Sequence, residues 1–408
     1  MNVQRWFVMR AYKNEKKAEE LLCGEHGLEY FIPKHSVVRV YHGKKSKRLV
    51  PVIPSLVFVH ACRIEINEFK QRCPFLQYVM WKTADGLDYL TVPAKQMDDF
   101  IRFATYQAEN AERLRLALGE ELRVLLEKIF GQQGLEFAIF GGTPCVHQKI
   151  TMQISRGARI LGYVKVTESK EIYGIFEHEK KILDTLHGQG MGQVPACLYC
   201  GTMKIGLHLF VQSTAKTQQS EVVHAWSEKH EQFLNDLAMH TRQKVQFEDS
   251  DFYSDLNALE ERLSLLGNPE VLCKDIQEVK DRYAGREVEF SAFQADFTPW
   301  NMFVEKERLF VFDWEYARMT YPSRLDYFHF LIQTAVFEEH LTAEKIAERY
   351  ASLRSTLVPI WENPDFALQC YLLSIMSIYV QREPDVRDNG VIERMQLWLE
   401  LLNILNIS

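Results

Sequence analysis

Apolar and polar positions alternate or cluster along the first hundred residues in a strand-and-helix rhythm. Trp6-Phe7-Val8-Met9 reads as a strand, and residues 14–22, with Leu21 and Leu22 closing an amphipathic pattern before Gly24, read as a helix. Residues 29–33 and 37–41 are short β-rich runs. The basic, turn-like residues 42–48 follow, and then a strand at residues 56–60, which predicts a hairpin with a cationic tip. A strand at residues 77–81, a turn at Ala84-Asp85-Gly86 and a helix from Pro93 to about Ala104 complete an α+β unit of about one hundred residues.

Residues 108–129 are rich in strong helix formers, with apolar positions three or four apart, and predict a helical connector or the first element of a second domain. Beyond it, β-rich runs at 136–140, 148–154 and 159–166 precede a helix at 176–186 and strands at 197–203 and 207–212. A meander with one helix inserted after its third strand is the layout of a kinase amino-terminal lobe. From Val223 onward the pattern is mostly helical. The expected domains are therefore 1–106, a connector at 107–134, an amino-terminal lobe at 135–215 and a helical carboxyl-terminal lobe at 216–408.

A chain of 408 residues exceeds one ordinary core. An apolar fraction of 47% with 25% charged residues fits a folded globular protein. The longest apolar run, residues 49–62, contains Pro51, Pro54 and His60 and is too short for a bilayer-spanning helix, so no membrane partner is expected. The amino terminus runs into patterned sequence without an apolar signal core, and the eight cysteines form no repeated framework; both point to the cytoplasm. The close pair Cys197-Leu-Tyr-Cys200 reads as strand residues of a core rather than a zinc site. Charge separates the halves: residues 1–106 hold 17 Lys+Arg against 11 Asp+Glu, leaving 31 against 44 for the rest of the total of 48 and 55. Opposite signs suggest two surfaces with different partners, although surface charge can serve solvation alone.

The chemistry concentrates in Gln294-Ala295-Asp296-Phe297-Thr298-Pro299-Trp300-Asn301 and, twelve residues past Asn301, Phe312-Asp313-Trp314-Glu315. Transfer of a γ-phosphoryl group needs a carboxylate to orient the attacking hydroxyl and take its proton, and oxygen ligands for Mg²⁺. Asp296 suits the first role, Asn301 and Asp313 the second.

Two resemblances extend these readings. Trp6-Phe7-Val8, Glu15-Lys16-Lys17, Phe31-Ile32-Pro33-Lys34, the basic hairpin and the run from Pro51 to Val59 resemble the amino-terminal domain of NusG-type transcription factors, most closely the UpxY-like antiterminators of polysaccharide operons. The resemblance implies a ferredoxin-like sandwich, within residues 1–106, that docks on the clamp helices of RNA polymerase. Leu56 and Phe58 are the apolar candidates for that contact, and only some of the strand's residues can face outward. The tip residues Lys44, Lys45, Lys47 and Arg48 could meet nucleic-acid phosphate or simply be solvated. The small KOW barrel that usually follows such a domain is not seen after residue 105.

Residues 135–400 resemble the aminoglycoside phosphotransferase and choline-kinase-like family, whose His-Gly-Asp-Phe-x-Pro-x-Asn loop precedes an Ile-Asp-Trp-Glu strand. The resemblance implies a bilobal kinase-like fold, ATP and Mg²⁺ as cofactors and a small-molecule hydroxyl acceptor. It places Lys165 on the ATP phosphates with Glu179 as its helix partner, Phe140-Gly141-Gly142-Thr143-Pro144 over the phosphates, residues 209–214 at the adenine-holding join of the lobes, and Asp326 as a structural anchor. Gln294 and Ala295 depart from the family's His and Gly; that His supports the loop by hydrogen bonds, a role Gln can fill. Two expectations follow: an active phosphotransferase fused to a polymerase-binding module, or an antitermination regulator whose kinase-like part senses a nucleotide or metabolite without turnover.

Overall fold

A computed structural model describes residues 4–12, 14–24, 28–41, 44–51, 53, 55–83, 86–98, 100–101, 120–140, 149–204, 206–263, 269–382 and 389–407. The chain divides into two compact units, residues 1–131 with 138–151 and residues 132–137 with 152–408. The expected boundary near 106, most of the 108–129 connector and the Gly141-Gly142 turn lie outside the described residues; the described end of the connector is the helix Glu120–Phe130.

In the first unit, strands β1 (Arg5–Arg10), β2 (Glu29–Phe31), β3 (Lys34–Tyr41), β4 (Lys44–Pro51), β5 (Leu56–Ala61), β6 (Gln77–Tyr78), β7 (Met80–Thr83), β8 (Gly86–Tyr89) and β9 (Thr91–Val92) are joined by helices Glu15–Cys23 and Arg63–Arg72. The central sheet runs β2-β5-β1-β6, with β9 also paired to β1. Alternation along β5 gives the sheet two apolar faces. Val57 and Val59 pack with Ala18, Leu22, Ile66 and Phe69 of the two helices, while Phe58 packs with Trp6, Val8 and Met97. β3 and β4 form a separate long hairpin, pairing Val40 with Lys45 and Tyr41 with Lys44.

Two expectations for this unit are corrected. The helix Arg63–Arg72 occupies a stretch with no predicted element; Glu65 Oε2 accepts from the Cys62 backbone N–H at 2.7 Å, closing its first turn, and Ile66 and Phe69 bury one face. The strand expected at 77–81 is two, because Tyr78 pairs with β1 whereas Met80 pairs with Tyr89 of β8.

Strands β10 (Glu136–Phe140) and β11 (Ile150–Arg156), which straddle the division of the two units, and β12 (Arg159–Thr167), β13 (Cys197–Thr202) and β14 (His208–Ser213) of the second unit follow in the sheet order β10-β11-β12-β14-β13. The helix Lys170–Gly188 follows β12; Ser169 Oγ accepts from Ile172 N–H at its start. Then come β15 (Glu221–Val222), β16 (Gln243–Gln246), β17 (Glu287–Phe293), β18 (Met302–Glu305), β19 (Arg308–Val311) and β20 (Arg318–Tyr321) among nine described helices from Glu228–Thr241 to Asn389–Ile407, counting one 3₁₀ turn at Phe247–Asp249 and another at Pro299–Asn301. The part expected to be mostly helical thus carries six short strands, and these hold the chemistry.

Candidate active site

Each element delivers one group. β12 is buried on both faces at its carboxyl-terminal end, so Lys165, opposite Phe210 of β14, projects into the interior with only 4% of its surface exposed. On the helix Lys170–Gly188 the buried face reads Ile172, Phe176, Glu179, Leu183, Leu186; one acid sits in the middle of an apolar stripe. It meets the lysine: Lys165 Nζ donates to Glu179 Oε1 at 2.9 Å and Oε2 at 2.6 Å, and also to Asp313 Oδ1 at 2.7 Å, with Glu315 Oε2 at 3.7 Å. The ammonium also lies 5.5 Å from the Phe210 ring centroid. Burial alone would lower the Lys165 pKa, but Asp313 and Glu179 outweigh it and raise the pKa, so the residue is a fixed cation. Glu179, Asp313 and Glu315 have ligand atoms close enough together to hold a metal, yet here they surround the ammonium. The three carboxylates serve the lysine.

The second part of the site is held by a hairpin. β18 and β19 pair Met302 with Val311, which brings the residues flanking them together, and Phe312 N–H donates to Asn301 O at 3.0 Å. Asn301 and the Phe312-Asp313 segment therefore sit side by side although Asp313 is twelve positions further along the chain. Asn301 Nδ2 donates to Asp296 Oδ2 at 2.8 Å and to Asp296 O at 3.0 Å, which leaves its amide oxygen as the atom suited to a hard cation. Asp296 is partly exposed, and His329 Nε2 lies 3.6 Å from its Oδ1. Oxygen donors on Asn301 and Asp313 fit the ligand preference of Mg²⁺.

Gln294 ties the two loops. Its Nε2 donates to Asp313 O at 2.7 Å and Phe312 O at 3.3 Å, while its Oε1 accepts the Asp296 N–H at 2.8 Å. Asp326, buried at the start of the helix Asp326–Phe337, accepts Gln294 N–H at 2.9 Å and Ala295 N–H at 3.0 Å. Burial pushes the Asp326 carboxyl up to about 7, against the lowering effect of those two hydrogen bonds. Ala295 at φ 69° and Asp313 at φ 64° occupy the left-handed region that favours glycine, so both turns are strained where Asp296 and Asp313 are presented. Trp314, fully buried, donates its backbone N–H to Glu179 Oε1 at 3.2 Å and its indole N–H to Val311 O at 3.0 Å.

The structure thus brings together Lys165, Glu179 and Asp313 as one cluster and Asp296 with Asn301 as another, linked through Gln294. Sequence reasoning missed Glu315 and His329; Glu315 follows Asp313 by two residues, whereas nothing in the sequence marks His329. Residues 209–214 fall on β14 and its end, and Asp326 anchors the backbone just before Asp296. Phe58 is 7% exposed and packs against Phe100, 5.4 Å between ring centroids, so a partner could reach half-buried Leu56 but not Phe58 without displacing Phe100. Of the basic tip, β4 is described as backbone and the side chains at 44–48 lie outside the described residues, as do residues 42 and 43. Cys197 and Cys200 are half-buried thiols in β13; burial pushes Cys197 up to about 12 and raises Cys200, which disfavours the thiolate form.

Residues 4–98 match the family described as transcription termination factor nusG. The first unit carries a NusG domain. The comparison with curated proteins finds no match. Among solved structures, the chain is similar to a thermostable mutant of aminoglycoside phosphotransferase APH(4)-Ia in its apo form, with TM-score 0.46 and 9% identity over 70% of this chain and 98% of that one. It is also similar to the GDP complex of wild-type aminoglycoside 2'-phosphotransferase-IIIa, with TM-score 0.43 and 12% identity over 70% and 98%. Macrolide 2'-phosphotransferase type I has TM-score 0.41 and 14% identity over 67% and 96%.

Proposed function

We propose that the second unit is an ATP- and Mg²⁺-dependent phosphotransferase acting on a hydroxyl of a small molecule or sugar. The observation that carries this reading is the Lys165 ammonium held between Glu179 and Asp313. A buried, fixed cation beside an acid that suits Mg²⁺ is what a triphosphate requires. In this reading Lys165 binds phosphate oxygens and Glu179 keeps it aimed. Asn301 and Asp313 would hold Mg²⁺, whose chemistry is to neutralise the phosphate charge. Asp296 accepts the proton of the acceptor hydroxyl, with Asn301 fixing the orientation of its carboxylate. Gln294 supports both loops, so its presence where the family has His is compatible with activity.

The match to a NusG domain supports docking on RNA polymerase clamp helices in the cytoplasm through the apolar patch that includes Leu56, and the basic residues Lys44–Arg48, which belong to strand β4 rather than to a turn, are candidates for contact with nucleic-acid phosphate. The second reading is a transcription regulator whose kinase-like unit binds a nucleotide or metabolite without turnover; the departures at Gln294 and Ala295 favour it. The experiment is nucleotide binding by the full chain with and without Mg²⁺, joined to an ATP-consumption screen over aminoglycosides, choline, ethanolamine and sugars. Mg²⁺-enhanced ATP binding that Lys165→Met weakens at least tenfold, with consumption stimulated by one acceptor, supports the enzyme. Binding without consumption supports the sensor, and absence of both contradicts the two readings.

A further inference from the structure

Away from Lys165 and Asp296, the second unit holds an arginine that no other residue satisfies. Arg324 lies in the turn between β20 and the helix Asp326–Phe337, and its Nε is buried without a hydrogen-bond partner. Its backbone stands at φ 67°, in the left-handed region, and Tyr327 N–H donates to Arg324 O at 3.0 Å, which fixes the turn. Glycine would relieve that strain. The chain instead keeps an arginine there, with a buried donor unmet, and the two observations together point to an acceptor from outside the fold.

Arg324 borders two cavities, one of about 700 Å³ and one of about 190 Å³, which also share Asn235, Ile360 and Trp361. Trp361 is a fixed wall: its indole N–H donates to Ser323 O at 3.2 Å, and its ring stacks on Phe328 at 4.8 Å with the planes 23° apart. Met239, 63% exposed, and Phe366 add apolar surface to the larger cavity. The other arginines there are already engaged, Arg242 with Glu289 at 3.8 Å and Arg282 over the Phe366 ring at 4.0 Å. Two exposed acids also line these cavities, Glu362 and Glu231, the latter accepting from the Trp226 indole at 3.4 Å; neither pairs with Arg324. A guanidinium fork recognises a carboxylate or a phosphate, and an indole wall recognises a flat apolar body. A neutral ligand would leave the charge unmet, and a bare inorganic anion would leave the wall unused. A ligand that carries both features satisfies both, and the larger cavity has room for it.

We propose that Arg324 and Trp361 form a binding site for a small aromatic anion, its carboxylate or phosphate on the guanidinium and its ring against the indole. The site does not depend on the phosphotransferase reading, since none of Lys165, Asp296, Asn301 and Asp313 lines either cavity. The experiment is calorimetric titration of the full chain with benzoate, indole-3-acetate, phenyl phosphate and inorganic phosphate, and with the neutral benzamide and indole-3-acetamide. Wild type is compared with Arg324→Gln, Arg324→Gly and Trp361→Leu, each checked for folding by near-ultraviolet circular dichroism and by its Tm without ligand. The expected result is an aromatic anion that binds at least about tenfold more tightly than its neutral amide or inorganic phosphate, and that is weakened about tenfold in both Arg324 variants. Preference for the carboxylates or for phenyl phosphate identifies the head group. The Tm of Arg324→Gly is expected to equal or exceed that of wild type, because the glycine relieves the strained φ and no internal partner is lost. A lower Tm in both Arg324 variants would make the arginine a structural residue and overturn the proposal. So would the absence of aromatic-anion binding, equal binding of the neutral amides, or affinity unchanged in both Arg324 variants.

Discussion

Lys165 is a charge taken out of water and returned to favourable surroundings by three carboxylates and a phenyl ring. Removing it leaves Glu179 and Asp313 facing one another without a cation, so Lys165→Met is expected to destabilise the second unit by about 3–5 kcal/mol as well as weaken nucleotide binding; urea unfolding measures the first effect. Gln294→Ala breaks the bridge between the Asp296 and Asp313 loops and should lower kcat about 10–100-fold with little change in stability, read from steady-state kinetics. Ala295 carries a Cβ at positive φ, and Ala295→Gly should be neutral to stabilising, by up to about 1 kcal/mol, in a thermal melt. Glu179 was legible only through the family resemblance, since its place in a buried apolar stripe shows in the fold, and Asp296, Asn301 and Asp313 were legible through their order and spacing. The Gln294 bridge was legible only as a capacity to hydrogen-bond; its partners are carbonyls whose positions depend on the β18–β19 hairpin.

At the scale of elements, the strands and helix around Lys165 were readable because their periods are clean. β17 was not: Phe290 to Phe293 are all buried, so the run Glu287–Phe293 shows no alternation at the end that leads into the active loop. The helix Arg63–Arg72 escaped notice for the opposite reason, since only Ile66 and Phe69 are buried among charged neighbours. Phe58, with Trp6 and Met97 around it, is core. Phe58→Ala is expected to destabilise the first unit by about 3–5 kcal/mol, and Leu56→Ala by less, in denaturant titrations. Asp326 adds a pH dependence. Its pKa rises from 3.8 to about 7 on folding, so the folded state keeps a proton that the unfolded chain has lost between those values. The contribution to stability is fully present below about pH 4 and lost as pH rises through about 7. The stability of wild type relative to Asp326→Asn should therefore decline between pH 5 and pH 8, as read by urea midpoints at the two values.

At the scale of the whole molecule, a basic amino-terminal stretch bearing a NusG domain precedes an acidic unit that gathers Lys165, Glu179, Asp313, Asp296 and Asn301. Two kinds of chemistry were separable in the sequence because charge, motif and periodicity all change near the same place, although the residues at that place lie outside those described. The acceptor was not legible, because the helices Pro364–Arg382 and Asn389–Ile407 show an apolar packing pattern rather than a motif. No helix among the described residues is long and apolar enough to cross a membrane. The central claim is that Asp296 serves phosphoryl transfer, and the most direct measurement is the rate of ADP formation from ATP by the full chain with Mg²⁺ and the best acceptor of the screen. The account predicts turnover that requires Mg²⁺ and falls at least 10²-fold in Asp296→Asn while ATP still binds. Turnover that is the same in wild type and Asp296→Asn would contradict it.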